Sequence, residues 1–255
     1  MSVYNITFSP TGGTQKAADL FLKSFCPENT YIDLTSSETD FSKFSFSEKE
    51  ICVISVPSYG GRVPAIAVSR LLQMKGGGAS AVLIVVYGNR AYDDTFAELQ
   101  DTLTEAGFSC IAAVAAIAEH SIMRQYAAGR PDAQDEKELA DFAKTIRSKM
   151  ESGALSGRLN LPGNRPYREY GGVPMKPSAD KSCIGCGLCA KKCPVSAIST
   201  VNPSKTDTKI CISCMRCIAV CPKKARSVSS VLLAAAGMKL KKACSSYKKN
   251  ELFLS

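Results

Sequence analysis

The sequence predicts an α/β protein in which a doubly wound, five-stranded parallel sheet is followed by a small α+β domain. Three observations predict it. Short β-branched, apolar runs alternate with segments of helical period through roughly the first 150 residues. Residues 153–177 then lose periodicity and fill with Gly, Pro and Asn, as a linker does. Eight of the twelve cysteines fall between positions 183 and 221, in two runs of identical spacing.

Taken in order, Val3–Phe8 reads as the first strand, closed by Ser9-Pro10-Thr11-Gly12-Gly13-Thr14. A helix follows, with Ala17, Leu20, Phe21 and Phe25 on one face. Tyr31–Leu34 is a second short strand. Ile51–Val56 is an apolar run, broken only by Ser55, that ends at Pro57, the pattern of a buried parallel strand. Arg62–Met74 reads as a helix stopped by Gly76-Gly77-Gly78, and Ala81–Tyr87 is the most continuous apolar strand. Asp93–Ala106 is a helix ended by Gly107, and Cys110–Ala118 is the fifth strand. A helix from about Pro131 to Met150 closes the unit, with proline in its first turn and acids nearby. The expected parts are thus residues 1–152, a linker over 153–177, a cysteine unit over 178–226 and a basic tail over 227–255. One helix is expected in that tail, through Val231–Lys242.

The chain of 255 residues carries a net charge of +9, unevenly spread. Residues 1–155 hold 14 basic and 19 acidic side chains, whereas residues 156–255 hold 18 basic and only 4 acidic. The basic half suits an acidic partner protein. Nucleic acid is not expected, because no helix-turn-helix or zinc-finger pattern accompanies the charge. No basic flank with an apolar core opens the sequence, and the late apolar run Val231–Ala236 is too short to span a bilayer. The expectation is a cytoplasmic protein with no membrane insertion, whose cysteines hold metal rather than disulfides. The sequence does not fix its oligomeric state.

The cysteine runs are Cys183, Cys186, Cys189, Cys193-Pro194 and Cys211, Cys214, Cys217, Cys221-Pro222. Paired C-x2-C units also occur at zinc, but a third cysteine two residues on and a trailing C-P are not zinc-ribbon habits. Each run reads C-x2-C-x2-C-x3-C-P and resembles the bacterial two-cluster ferredoxins, whose fourth cysteine binds the other cluster. That resemblance implies two [4Fe–4S] clusters. The first would be held by Cys183, Cys186, Cys189 and Cys221, the second by Cys211, Cys214, Cys217 and Cys193.

The loop after the first strand has glycines that admit a phosphate, free N–H groups at a helix N-terminus, and hydroxyl donors. It lacks the lysine of a P-loop and the G-x-G-x-x-G of dinucleotide folds. Ser9, Thr11, Gly12 and Thr14 match the S/T-x-T-G-x-T loop of flavodoxins, with Gly13 between them. Two later loops resemble those that hold the flavin ring in that family: Pro57-Ser58-Tyr59-Gly60-Gly61-Arg62 and Tyr87-Gly88-Asn89-Arg90-Ala91-Tyr92-Asp93. The resemblance implies FMN, with Tyr92 stacked on the ring and Tyr59 and Tyr87 as further aromatic candidates in a chain without Trp. Arg62 and Arg90 read equally as charges beside the ring or as structural arginines. His120, the only histidine, follows the fifth strand on the same edge, either as a proton donor or as hydrogen-bonded structure. Cys52 and Cys110 read as inert core thiols.

The whole order of parts resembles the flavodoxin–ferredoxin fusion proteins of anaerobes, with an FMN domain, a strap lying across it and a two-cluster domain. Electron transfer among clusters and FMN is what that implies, with separate redox proteins as donor and acceptor. The alternative is an FMN-dependent reductase of a small acceptor, such as a quinone or a flavin, fed through the clusters.

Overall fold

The computed structural model describes residues 2–155 and 159–255; positions 156–158 of the expected linker lie outside the described residues. Among the described residues eight strands and seven α-helices follow one another. The first part runs β1 (Val3–Thr7), α1 (Gly13–Phe25), β2 (Thr30–Asp33), β3 (Ile51–Pro57), α2 (Ala65–Leu71), β4 (Ser80–Tyr87), α3 (Thr95–Glu105), β5 (Ser109–Ile117) and α4 (Ala133–Glu151). The remainder is β6 (Ser178–Ala179), α5 (Leu188–Lys191), α6 (Arg216–Ala219), β7 (Arg226–Ser227), α7 (Ser230–Cys244) and β8 (Glu251–Leu254).

The main sheet has the order β2-β1-β3-β4-β5-β8. Its first five strands are parallel, in the 2-1-3-4-5 order of flavodoxin-like folds. Strands β3 and β4 are buried on both faces, which is why they read as unbroken apolar runs. One face packs on α2 and α3 through Ala67, Leu71, Phe96 and Leu99. The other packs on α1 and α4 through Phe21, Leu22, Leu139 and Ile146. Helix α2 begins three residues later than Arg62, because the extended backbone at Pro64 precludes helix there. Helix α4 is fixed at its start by a capping box between Asp132 and Asp135.

The sixth strand is new relative to the sequence reading. Four residues at the end of the basic tail form β8, which pairs antiparallel with β5 and covers that edge of the sheet. Asn250 seats it: its side chain accepts from Ile117 N at 2.9 Å and donates to Asp135 and Glu138 at 2.8 and 2.7 Å. Phe253 then meets Phe96 edge-on at 5.4 Å.

The linker lies on the first unit as a strap. Leu159 and Leu161 enter its core, and Asp94, only 2 % exposed, accepts from Asn164 N (2.8 Å), Asn164 Nδ2 (3.1 Å) and Arg168 N (2.7 Å). Beyond it, residues 183–197 and 211–225 form a structural repeat with an offset of 28 positions. Helix α6 repeats α5. Left-handed backbone at Gly185, Gly187 and Ser196 recurs at Ser213, Met215 and Lys224. The N–H of Ala197 reaches Cys193 Sγ at 3.3 Å, and that of Ala225 reaches Cys221 Sγ at the same distance. The short β6–β7 ribbon ties the two ends of this unit together.

Candidate functional site

A cavity of about 500 Å³ opens at the carboxyl ends of β1, β3, β4 and β5, where an open α/β sheet places its ligands. From the first loop Thr11, Gly13 and Thr14 line it. Helix α1 has no side-chain cap bond at Gly12, whose φ of 92° suits glycine, so the N–H groups of Gly13 and Thr14 at its start are left for a ligand. Ser9 plays a supporting part: its Oγ accepts from Gln15 N at 2.9 Å and holds the loop onto the helix. An anionic phosphate fits this end of the cavity on both dipole and hydrogen-bonding grounds.

From the second loop, Pro57, Ser58, Tyr59 and Gly60 line the cavity, and Tyr170 of the strap packs directly on Gly60. A Cβ at Gly60 would fall 2.2 Å from the Tyr170 ring, so glycine is required for the strap to close here. Burial, with Cys214 next in effect, drives the Tyr59 hydroxyl well above its ordinary pKa, so it stays protonated beside the cysteine unit. Gly61 and Arg62 lie outside the lining. Arg62 is committed elsewhere: Glu98 binds it bidentately at 2.8 and 2.7 Å, and its guanidinium stacks on Tyr167 at 4.9 Å. It is a structural arginine.

From the third loop, Tyr87, Gly88 and Arg90 line the cavity, whereas Asn89, Tyr92 and Asp93 do not. Tyr92 is thus displaced from the stacking position that the sequence led us to expect. Its ring turns edge-on to Tyr87 and Phe96, and its hydroxyl reaches Glu251 on β8 at 3.2 Å. Asn89, with φ 64°, turns back to donate to the carbonyls of Cys244 and Ser246. Asp93 pairs with Arg90 and with Arg168. His120 lines the cavity against Gly88, where any side chain would strike the imidazole. Its Nδ1 accepts from the N–H groups of Ile122 and Met123, both at 3.2 Å, which leaves Nε2 as the protonated nitrogen.

Three further walls come from segments that local sequence could not place here. The strap adds Arg168, Tyr170 and Met175, helix α7 adds Lys239 and Leu240, and the cysteine unit adds Ile212 and Ser213. Arg90, Arg168 and Lys239 make the lining basic, which suits a phosphate and a ring that gains negative charge on reduction.

The eight run cysteines surround two smaller cavities. Cys183, Cys186, Cys189 and Cys221 line one, and Cys193, Cys211, Cys214 and Cys217 the other. These are the two crossed sets. None of the twelve cysteines is paired in a disulfide. Among the described residues no three Cys, His, Asp or Glu side chains converge as ligands of a single metal ion. Backbone N–H groups already point at sulfur: besides Ala197 and Ala225, Ser213 N reaches Cys211 Sγ at 3.4 Å. Ile212 belongs to the walls of both the second cysteine cavity and the large cavity. Cys186, in the other set, is exposed to solvent.

Residues 175–226 match the family model described as a 4Fe-4S dicluster domain. The parts are a flavodoxin-like fold and a dicluster-like unit. Among solved structures, the chain is similar to a flavodoxin from the domain Archaea, with 12% identity over 59% of this chain and 99% of that one and a TM-score of 0.44. It is similar to oxidised flavodoxin 2 of Bacillus cereus at 15% identity over 58% and 99%, with a TM-score of 0.43. A third is the rubredoxin oxygen:oxidoreductase of Desulfovibrio gigas, at 16% identity over 61% of this chain and 37% of that chain, TM-score 0.40. None of the curated proteins matches. The flavodoxin-like assignment rests on the strand order itself. Among the described residues no helix is long and apolar enough to cross a membrane.

Proposed function

We propose that this chain carries electrons between two [4Fe–4S] clusters and one FMN, linking a low-potential redox protein to a second donor or acceptor. One observation carries the reading: Ile212 is a shared wall of the second cysteine cavity and the large cavity, while Cys186 of the first set faces solvent. The second cysteine cavity thus adjoins the large cavity, and the exposed Cys186 offers the first set as the entry from solvent. FMN would be held by Thr11, Gly13 and Thr14 at its phosphate and by the Tyr59 and Gly88 loops at its ring, and would supply two-electron storage beside one-electron clusters. Arg90, Arg168 and Lys239 hold positive charge at the cavity, and His120 offers an Nε2–H there. Having both kinds of site in one chain keeps their separation short and fixed.

A second reading is reduction of a small acceptor at the same cavity. It is favoured by α7, which roofs the cavity yet buries only Gly237 and Cys244 of its own residues, so it is lightly held. The partners are separate redox proteins, acidic ones by the charge of residues 156–255.

Anaerobic purification with iron, sulfide and flavin quantitation, followed by stepwise reductive titration, tests the proposal. About eight irons and one FMN per chain, with clusters and flavin exchanging electrons, support it. Flavin-free protein, or zinc in place of iron, overturns it. Rapid, saturable turnover of a small acceptor would favour the second reading.

A further inference from the structure

Two arginines in the cysteine unit have no satisfactory account within the protein. Arg226 is only 2 % exposed and, among the described residues, makes no ion pair. Its terminal nitrogens donate to Thr206 Oγ1 at 2.9 Å and to the Pro203 carbonyl, while Nε is buried with no partner. Arg216 is mostly buried, donates to the Ser9 carbonyl at 3.3 Å and meets Asp33 at 3.8 Å, and its Nε is likewise buried and unpartnered. A guanidinium stays charged at any accessible pH, and a buried charge needs a counter-charge. The positions supply the answer. Arg226 lines the cavity of Cys183, Cys186, Cys189 and Cys221, and Arg216 lines that of Cys193, Cys211, Cys214 and Cys217.

We propose that Arg216 and Arg226 set the reduction potentials of the two clusters, each holding its positive charge and its free Nε–H against cluster sulfur. The proposal rests on the cluster reading given above. Reduction adds one electron, and so one negative charge, to a cluster without making or breaking a bond. A fixed cation in a low-dielectric site favours the reduced form, and so does an N–H donor to sulfur. The two arginines differ. Arg216 shares its charge with Asp33, whereas Arg226 has no carboxylate among the described residues. Arg226 lines only the cavity of the Cys183 set and Arg216 only that of the Cys211 set, so each acts chiefly on its own cluster.

EPR-monitored potentiometric titration of the full-length holo-protein tests this, with each signal assigned through Cys183→Ala and Cys211→Ala proteins. Iron and sulfide are quantified first, so failure of the cluster reading shows as missing iron in the unsubstituted chain. Arg226→Gln is expected to lower the reduction equilibrium constant of the surface cluster at least tenfold, a 59 mV negative shift for one electron. Arg216→Gln is expected to move only the second cluster. Arg226→Lys keeps the buried charge but removes Nε–H, guards against loss of folding, and is expected to give an intermediate shift. Fully loaded Arg226→Lys and Arg216→Gln proteins with unchanged potentials would overturn the proposal.

Discussion

Arg70 of α2 donates to the carbonyl of Pro194 at 2.7 Å, so a buried arginine of the α/β unit holds the turn that follows Cys193. The same guanidinium binds Leu34 O at 2.5 Å and lies over the Phe41 ring. This is one of the bonds that fix the cysteine unit against the sheet. Arg70→Met keeps the volume but leaves two carbonyls unpaired, which should cost about 2–3 kcal/mol. Denaturant titration checks the stability, and flavin–cluster exchange should slow with it.

Asp94 is the clasp of the strap. Burial would raise its pKa, but the N–H bonds from Asn164 and Arg168 outweigh it and hold the carboxylate below the ordinary range. A depressed acid stabilises above its unfolded pKa and loses that contribution as pH falls through the folded value. The strap should therefore stay closed at neutral pH and release only below about pH 4. Asp94→Ala should cost about 2–3 kcal/mol, expose residues near Tyr170 to protease at neutral pH, and weaken flavin binding. Limited proteolysis and a flavin titration read both.

The crossed cysteine sets give a qualitative test. Cys221→Ala should remove the signal of the Cys183 cluster, and Cys193→Ala that of the Cys211 cluster, although each cysteine lies in the other run. Mössbauer or EPR spectra of the two variants distinguish this from pairing within each run.

His120 should be neutral in the folded protein. Burial is the main cause of its lowered pKa, with Arg90 adding to it. An unfolded histidine takes up a proton below about pH 6.5 while the folded one resists. Stability should thus be flat above that pH and fall as pH drops below it. His120→Asn preserves an acceptor for the N–H groups of Ile122 and Met123 and should remove this acid-side slope. Stability measured from pH 5 to 8 decides it.

How much the sequence revealed depended on whether a feature was local. The cysteine spacing carries its own chemistry, and β3 and β4 announce burial on both faces, so those parts were legible. The edge strand β8 was not, because Glu251-Leu-Phe-Leu is four residues long and its partners lie more than 130 positions away. Its arrival also explains Tyr92: the motif residue is local, but Glu251 and Phe96 decide where its ring goes. Arg62 follows the same logic, drawn off by Glu98 and Tyr167. Tyr170 belongs to a strap that the sequence suggested, but Lys239 and Ile212 enter the large cavity only through tertiary closure, for which a single sequence holds no signal.

On the proposed route the Cys211 cluster stands between the surface cluster and the flavin. Stopped-flow reduction of flavin-loaded variants tests it most directly. With the surface cluster deleted by Cys183→Ala, the remaining cluster should still equilibrate rapidly with flavin. With the inner cluster deleted by Cys211→Ala, the surviving cluster should be reduced yet exchange with flavin at least tenfold more slowly. The opposite pattern, or equal rates in both, would contradict the account.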